Sequence, residues 1–191
     1  MDFTAVVNEV IAITKRPDKI SDIRREVNKA VNFFCIGADF AFDLEEESYA
    51  ISPAAYAGNI DLTTLTRFRK FAYIRPTDRK KYVAHLTPDK VFAQGKEAVD
   101  VYYIAGTQAN FKVCHEVSSF YIGYFKYPAV LTDDAPDFWL LDLSPYMVID
   151  KAAASIFRNI GDDASATRHD KEANLAYITA RADYTYGAKP L

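Results

Sequence analysis

Three histidines, two cysteines and two aspartate pairs are the side chains of this sequence best suited to chemistry by type. Their spacing decides what they can do. His85, His115 and His169 fall in three separate elements, with no HExxH, no paired-histidine spacing and no cysteine cluster, so no zinc site is expected and no metal is assigned. Cys35 and Cys114 lie far apart without CxxC spacing, which implies neither a disulfide framework nor a metal and fits a reducing compartment. Cys114 and His115 have the types of a nucleophile and its base, but neighbours in a strand face opposite sides, so the expectation is that they form no dyad and that the histidines are ordinary surface or edge residues. Asp133-Asp134 and Asp162-Asp163 stand just before helices and read as caps. No G-x-S-x-G elbow, G-x-x-x-x-G-K-[ST] loop or G-x-G-x-x-G is present, so neither an enzyme nor a cofactor is expected.

The strongest electrostatic feature is a run of cations, Arg67, Arg69, Lys70, Arg75, Arg79, Lys80 and Lys81, opposed only by Asp78 and interleaved with Phe68, Phe71, Tyr73 and Tyr82. Alternation along a strand would put Arg67 and Arg69 on one face and Phe68 on the other. Such a run serves either as a solvated hairpin feeding aromatics to a core or as a contact for DNA phosphates or an acidic partner. The net charge of −3 supplies no global basic footprint, so any DNA contact must be local. The acidic stretch Asp39, Asp43, Glu45, Glu46 and Glu47 around Phe40, Phe42 and Leu44 reads as a solvated loop or edge strand with inward aromatics, or else as a metal or basic-partner site, and its spacing fits no calcium loop.

These residues must be positioned by elements whose hydrophobic period changes twice. Helical spacing runs from Phe3 to about Phe34: Asp2 caps a first helix carrying Phe3, Val6, Val7 and Val10, Arg16-Pro17 ends it, and a second helix carries Ile20, Ile23, Val27, Ala30, Val31 and Phe34 up to Gly37. Strand signals follow from about Tyr49 to Val130, with runs at 61–65, 68–75, 81–86, 100–105, 110–114 and 119–127 between turns such as Ser52-Pro53, Gly58-Asn59, Gly95 and Gly106-Thr107-Gln108, and one helical turn opening at Thr87-Pro88-Asp89. Helical spacing returns with Asp134 as a cap before Pro136 and Asp137, a kink or restart at Ser144-Pro145, and a last helix after Gly161 capped by Asp162 or Asp163. The expected fold class is α+β: a bundle of about four helices, an N-terminal hairpin plus C-terminal helices, with an inserted antiparallel β lobe. Its parts are a discontinuous helical core of residues 1–38 plus 132–183, a β-rich lobe of 39–131, and an extended C-terminal arm of 184–191.

Half of the 191 residues are hydrophobic, enough for a substantial core. No basic-then-apolar leader opens the sequence, because Asp2 and Glu9 interrupt it, and no apolar run reaches the ~20 residues that cross a bilayer. Secretion and membrane association are not expected.

Three stretches taken together resemble the head-to-tail adaptors (connector or head-completion proteins) of tailed bacteriophages: VNEVIAITKRPD from Val7 to Asp18, VDVYYIAG from Val99 to Gly106, and FWLLDLSPYMVIDKAAASIFRNIGDDASA from Phe138 to Ala166. The resemblance implies a structural virion protein, assembled in the host cytoplasm and placed at the head-tail junction. It further implies a homo-oligomeric ring, dodecameric by resemblance, that binds the portal protein on one side and a tail nozzle or tail tube protein on the other. DNA passes through the lumen without being read during ejection. The portal-binding arm would carry Tyr184, Tyr186, Pro190 and Leu191, apolar anchors that one helix cannot bury. Other readings are a different tail or baseplate component, or a small nucleic-acid-binding module using the Arg67–Lys81 region.

Overall fold

The computed structural model describes residues 1–94, 99–134 and 138–186. The chain divides into two compact units, Met1–Asp43 with Pro128–Leu191 and Leu44–Tyr127. The boundaries at 38/39 and 131/132 drawn from the sequence therefore move. Residues 39–43 stay with the helices because Phe40 is fully buried against Trp139, ring centroids 5.0 Å apart, and Asp43 accepts the Trp139 indole N–H at 2.9 Å. Leu131 belongs there too: its side chain is buried, its N–H donates to Asn28 Oδ1 at 2.7 Å, and its carbonyl accepts from Asn28 Nδ2 at 3.1 Å.

In the helical unit, α1 (Phe3–Thr14) starts where Asp2 accepts from the Ala5 N–H at 2.7 Å and stops where Lys15 turns left-handed at φ 53°. A 3-10 turn at Pro17–Lys19 leads into α2 (Ile20–Gly37), which buries Ile23, Val27, Ala30, Val31 and Phe34 at three- and four-residue steps. After the inserted unit come α4 (Trp139–Leu143), α5 (Pro145–Asn159) and α6 (Asp163–Tyr184). Pro145 occupies the first turn of α5, so the chain restarts a helix there. Asp162 caps α6 by accepting from the Ser165 N–H at 3.0 Å. Five α-helices thus stand in this unit among the described residues. Pro136 and Asp137 lie outside the described residues, α4 begins at Trp139 after an extended Phe138, and Asp134 is not its cap. Asp133 does not cap either: it takes Arg24 through both carboxylate oxygens and the Thr4 hydroxyl. Fully buried Phe34, Leu140, Met147 and Ile149 form the heart of this core, each stabilising by roughly 1.5–3 kcal/mol through burial.

The other unit is organised by one strand. β5 (Gln108–Lys126) pairs antiparallel with β1 (Leu44–Asp61) along one edge over most of its length. Its other edge is shared: β4 (Val101–Ala105) pairs with residues 108–112 and β2 (Phe68–Pro76) with 120–126. β3 (Ala84–His85) lies parallel to β4, and α3 (Pro88–Gln94) follows it. The sheet is therefore mixed rather than purely antiparallel. Gly106, at φ 60°, makes the turn between β4 and β5.

Two sequence expectations fail at register irregularities. Runs 110–114 and 119–127 belong to one strand, and where 61–65 is expected as a strand Asp61 ends β1 and a 3-10 turn follows at Leu62–Thr64. Leu44–Asp61 is one long strand despite Ser52-Pro53 and Gly58-Asn59, because pairing shifts between Ala50 and Ala55 and again between Ala55 and Ala57. Opposite that second shift, Ala55↔Val117 is followed by Ala57↔Lys112, so β5 carries extra residues there, a bulge in its pairing with β1. Gly95, read as a turn, lies outside the described residues.

Candidate functional site

The cations of the predicted contact region do not form one face. Arg67 sits in the turn before β2 at φ 52°, outside the strand, and its carbonyl accepts from the Tyr127 N–H at 2.8 Å. Register shifts between Phe68 and Lys70 and between Phe71 and Tyr73 interrupt alternation, so Phe68 and Phe71 both pack on the core. Arg69 and Lys70 lie over the Phe125 ring at 5.3 and 5.7 Å, and Arg75 lies over Tyr121 at 5.2 Å. Arg79 donates to Cys114 Sγ at 2.9 Å, and Lys81 donates to Asp100 at 2.9 Å. Lys80 is exposed. Most of the run is thus engaged within the sheet unit by rings and by two polar partners.

An open depression of about 450 Å³ lies beside this strand, lined by Glu46, Glu47, Ser48, Tyr73, Arg75, Tyr121 and Ile122. Its floor depends on glycine: a Cβ on Gly123 would stand 2.5 Å from Tyr73 Cε1, so only glycine lets the tyrosine ring lie flat on β5. The Tyr73 hydroxyl donates to Glu46, which fixes the ring from the far side. With two carboxylates and one guanidinium the depression has mixed charge and lacks the basic lining of a phosphate site.

The predicted portal arm begins later than the sequence suggested. Tyr184 is the last residue of α6 and packs against the helical core, its ring 5.7 Å from Phe42. Thr185 bridges to Phe40, and the Tyr186 N–H donates to the Asp39 carbonyl at 2.6 Å. Tyr186 is exposed, while Pro190 and Leu191 lie outside the described residues.

His169 is neither a surface nor an edge residue. It is buried on α6, stacked on Phe157 at 5.4 Å with ring planes 10° apart, and its Nδ1 is 2.8 Å from Asp150 on α5. Glu172 approaches the same nitrogen at 3.7 Å, and among the described residues Asp150, His169 and Glu172 are the one group whose ligand atoms lie close enough to hold a metal ion. Arg168 Nη2 reaches His169 Nε2 at 3.2 Å, so with Nδ1–H donating to Asp150 and Nε2 accepting from Arg168 both ring nitrogens are satisfied and the group works as a clamp between α5 and α6. Burial pushes the Asp150 carboxyl above the usual carboxylate range, against the pull of His169. Sequence spacing missed this group because Asp150 and His169 come from different helices.

No known protein family matches the chain, and no curated protein matches it. Among the described residues, no helix is long and apolar enough to cross a membrane.

Proposed function

We propose that the chain is a subunit of a tailed-phage head-to-tail adaptor ring, a structural protein of the virion that joins the portal to a tail nozzle or tail tube protein and lines part of the DNA conduit. The observation that carries this reading is apolar surface left on regular helices: Phe33 and Ile36 on α2 are 52% and 45% exposed, and Leu175 and Ile178 on α6 are 58% and 64% exposed. Large side chains in solvent at three-residue steps mark a surface that an assembly covers. In a ring, the Leu175–Ile178 stripe lies against the neighbouring copy. Tyr186 and the residues after it, with Pro190 and Leu191, engage the portal. The reading assigns the chain no catalytic step, and the Arg67–Lys81 cations hold the sheet unit together more than they grip DNA.

Electron microscopy of the chain mixed with purified portal rings tests this. The expected image is a portal ring capped by a second ring of matching symmetry. Portal rings that stay bare, or a bound layer of different symmetry, contradict it.

A further inference from the structure

The bulge in β5 faces a turn that brings further polar side chains to it. Val113 and Val117 are both buried, and the register with β1 skips from Lys112 to Val117, leaving Cys114, His115 and Glu116 in the bulged stretch. Residues 113–119 of β5 lie between the ends of β4 and β2 on their shared edge, and the chain after β2 turns into that gap. Thr77 pins the turn: its N–H donates to the Ser119 carbonyl at 3.2 Å and its hydroxyl meets that of Ser119 at 2.7 Å. Asp78 and Arg79 are thereby delivered beside Cys114 and His115.

The resulting geometry has the logic of an activated nucleophile. His115 Nε2 lies 2.9 and 3.2 Å from the two oxygens of Asp78, so Nε2–H donates to the carboxylate and Nδ1 is left with its lone pair. That nitrogen is 3.8 Å from Cys114 Sγ, and Arg79 Nη1 donates to the same sulfur at 2.9 Å. The sulfur thus has a base within reach and a cation donating to it, the surroundings of a reactive cysteine. The nearby anion is Asp100, in the left-handed region at φ 56°, whose carboxylate accepts the Cys114 backbone N–H at 3.2 Å. Lys81 at 2.9 Å offsets its charge. Burial works to raise the Asp100 carboxyl, but Lys81 together with the N–H and the thiol of Cys114 outweighs it and holds it below the usual carboxylate range. Cys114 is exposed, whereas Cys35 is buried in the helical core.

We propose that Cys114, His115, Asp78 and Arg79 form a thiol–disulfide exchange site whose substrates are accessible disulfides, of small molecules or of a partner chain. His115 Nδ1 takes the thiol proton and the Cys114 sulfur attacks one sulfur of the disulfide. The S–S bond breaks as the new one forms, the second sulfur leaves as a thiolate, and that thiolate recovers the proton from His115. The product is a mixed disulfide on Cys114, and no other oxidant is required. This inference is independent of the adaptor reading.

The test is the rate at which the full chain reacts with the aromatic disulfide dithiobis-nitrobenzoate, followed by its coloured leaving thiolate. The native chain is expected to show one fast thiol, abolished by Cys114→Ser and slowed about tenfold or more by Arg79→Ala and by His115→Gln. Asp78 and Arg79 are exposed turn residues, so Asp78→Asn and Arg79→Ala keep the wild-type melting temperature and separate reactivity from folding. A folded Arg79→Ala or Asp78→Asn chain reacting as fast as wild type, or a fast phase surviving Cys114→Ser, overturns the proposal.

Discussion

In the helical unit, the buried polar groups apart from Asp43 sit on unbroken helices and find partners at regular steps. Glu26 on α2 accepts from Lys29 one turn along and from Ser155 on α5, and Asp150 on α5 meets His169 on α6. In the sheet unit, polar side chains converge where regularity fails: at the β5 bulge, in the Thr77–Lys81 turn, and at Asp100 with its positive φ. The contrast teaches where to look in each unit. Periodic helices reserve their polar groups for packing, whereas an interrupted strand re-aims side chains and creates new neighbours.

The largest expected effect is in the regular core. Phe34 is fully buried on α2, 5.2 Å from the Tyr177 ring, and Phe34→Ala should cost about 3–5 kcal/mol in urea unfolding. A loss below about 1 kcal/mol would break the claim that this core is tightly packed.

In the sheet unit, Gly123→Ala should cost about 1–3 kcal/mol, because the added methyl meets the Tyr73 ring. The penalty should shrink in a Tyr73→Ala background, and equal penalties in both backgrounds would show that the close approach is not its source.

Asp150→Asn sharpens the view of the α5–α6 clamp. The folded Asp150 carboxyl is raised by burial, so the native state holds its proton more tightly than the unfolded chain does. Stability from this group is complete below the unfolded aspartate value and is lost as pH rises through the higher folded value. The amide oxygen that the substitution introduces can still accept from His169, so the variant should lose that decline with pH and be no less stable near neutrality. A denaturation profile as steep as wild type would contradict the burial argument.

The smallest effect tests the turn. Thr77→Val removes the hydroxyl's contacts to the Ser119 hydroxyl and carbonyl, worth about 0.5–1.5 kcal/mol, yet it should slow disulfide exchange at Cys114 several-fold. A wild-type exchange rate would mean that Asp78 and Arg79 hold their places without the pin.

Much of the helical unit is legible from residue types. Apolar steps of three and four mark α1, α2, α5 and α6, Asp2 and Asp162 mark two starts, and Pro145 marks the α5 restart. Less of the sheet is legible. β5 reads as two strands because its pairing with β1 skips residues between Lys112 and Val117, and β1 is read short because Pro53 and Gly58 resemble punctuation when their pairing partners are unknown. The Cys114–His115 approach of 3.8 Å is not expected of strand neighbours, and the Asp78 and Arg79 that meet them come from a separate turn. The basic run is visible, but rings at Phe125 and Tyr121 engage Arg69, Lys70 and Arg75, and only the folded sheet brings those partners across.

The most direct test of the adaptor reading is the mass of the complex formed with purified portal, measured for wild type and for the double variant Leu175→Asp, Ile178→Asp. Both positions are solvent-exposed, so the variant should melt with the wild type. The account predicts that wild type adds a full ring of copies to each portal and that the variant adds none or only scattered single copies. A variant that builds the same ring would contradict it.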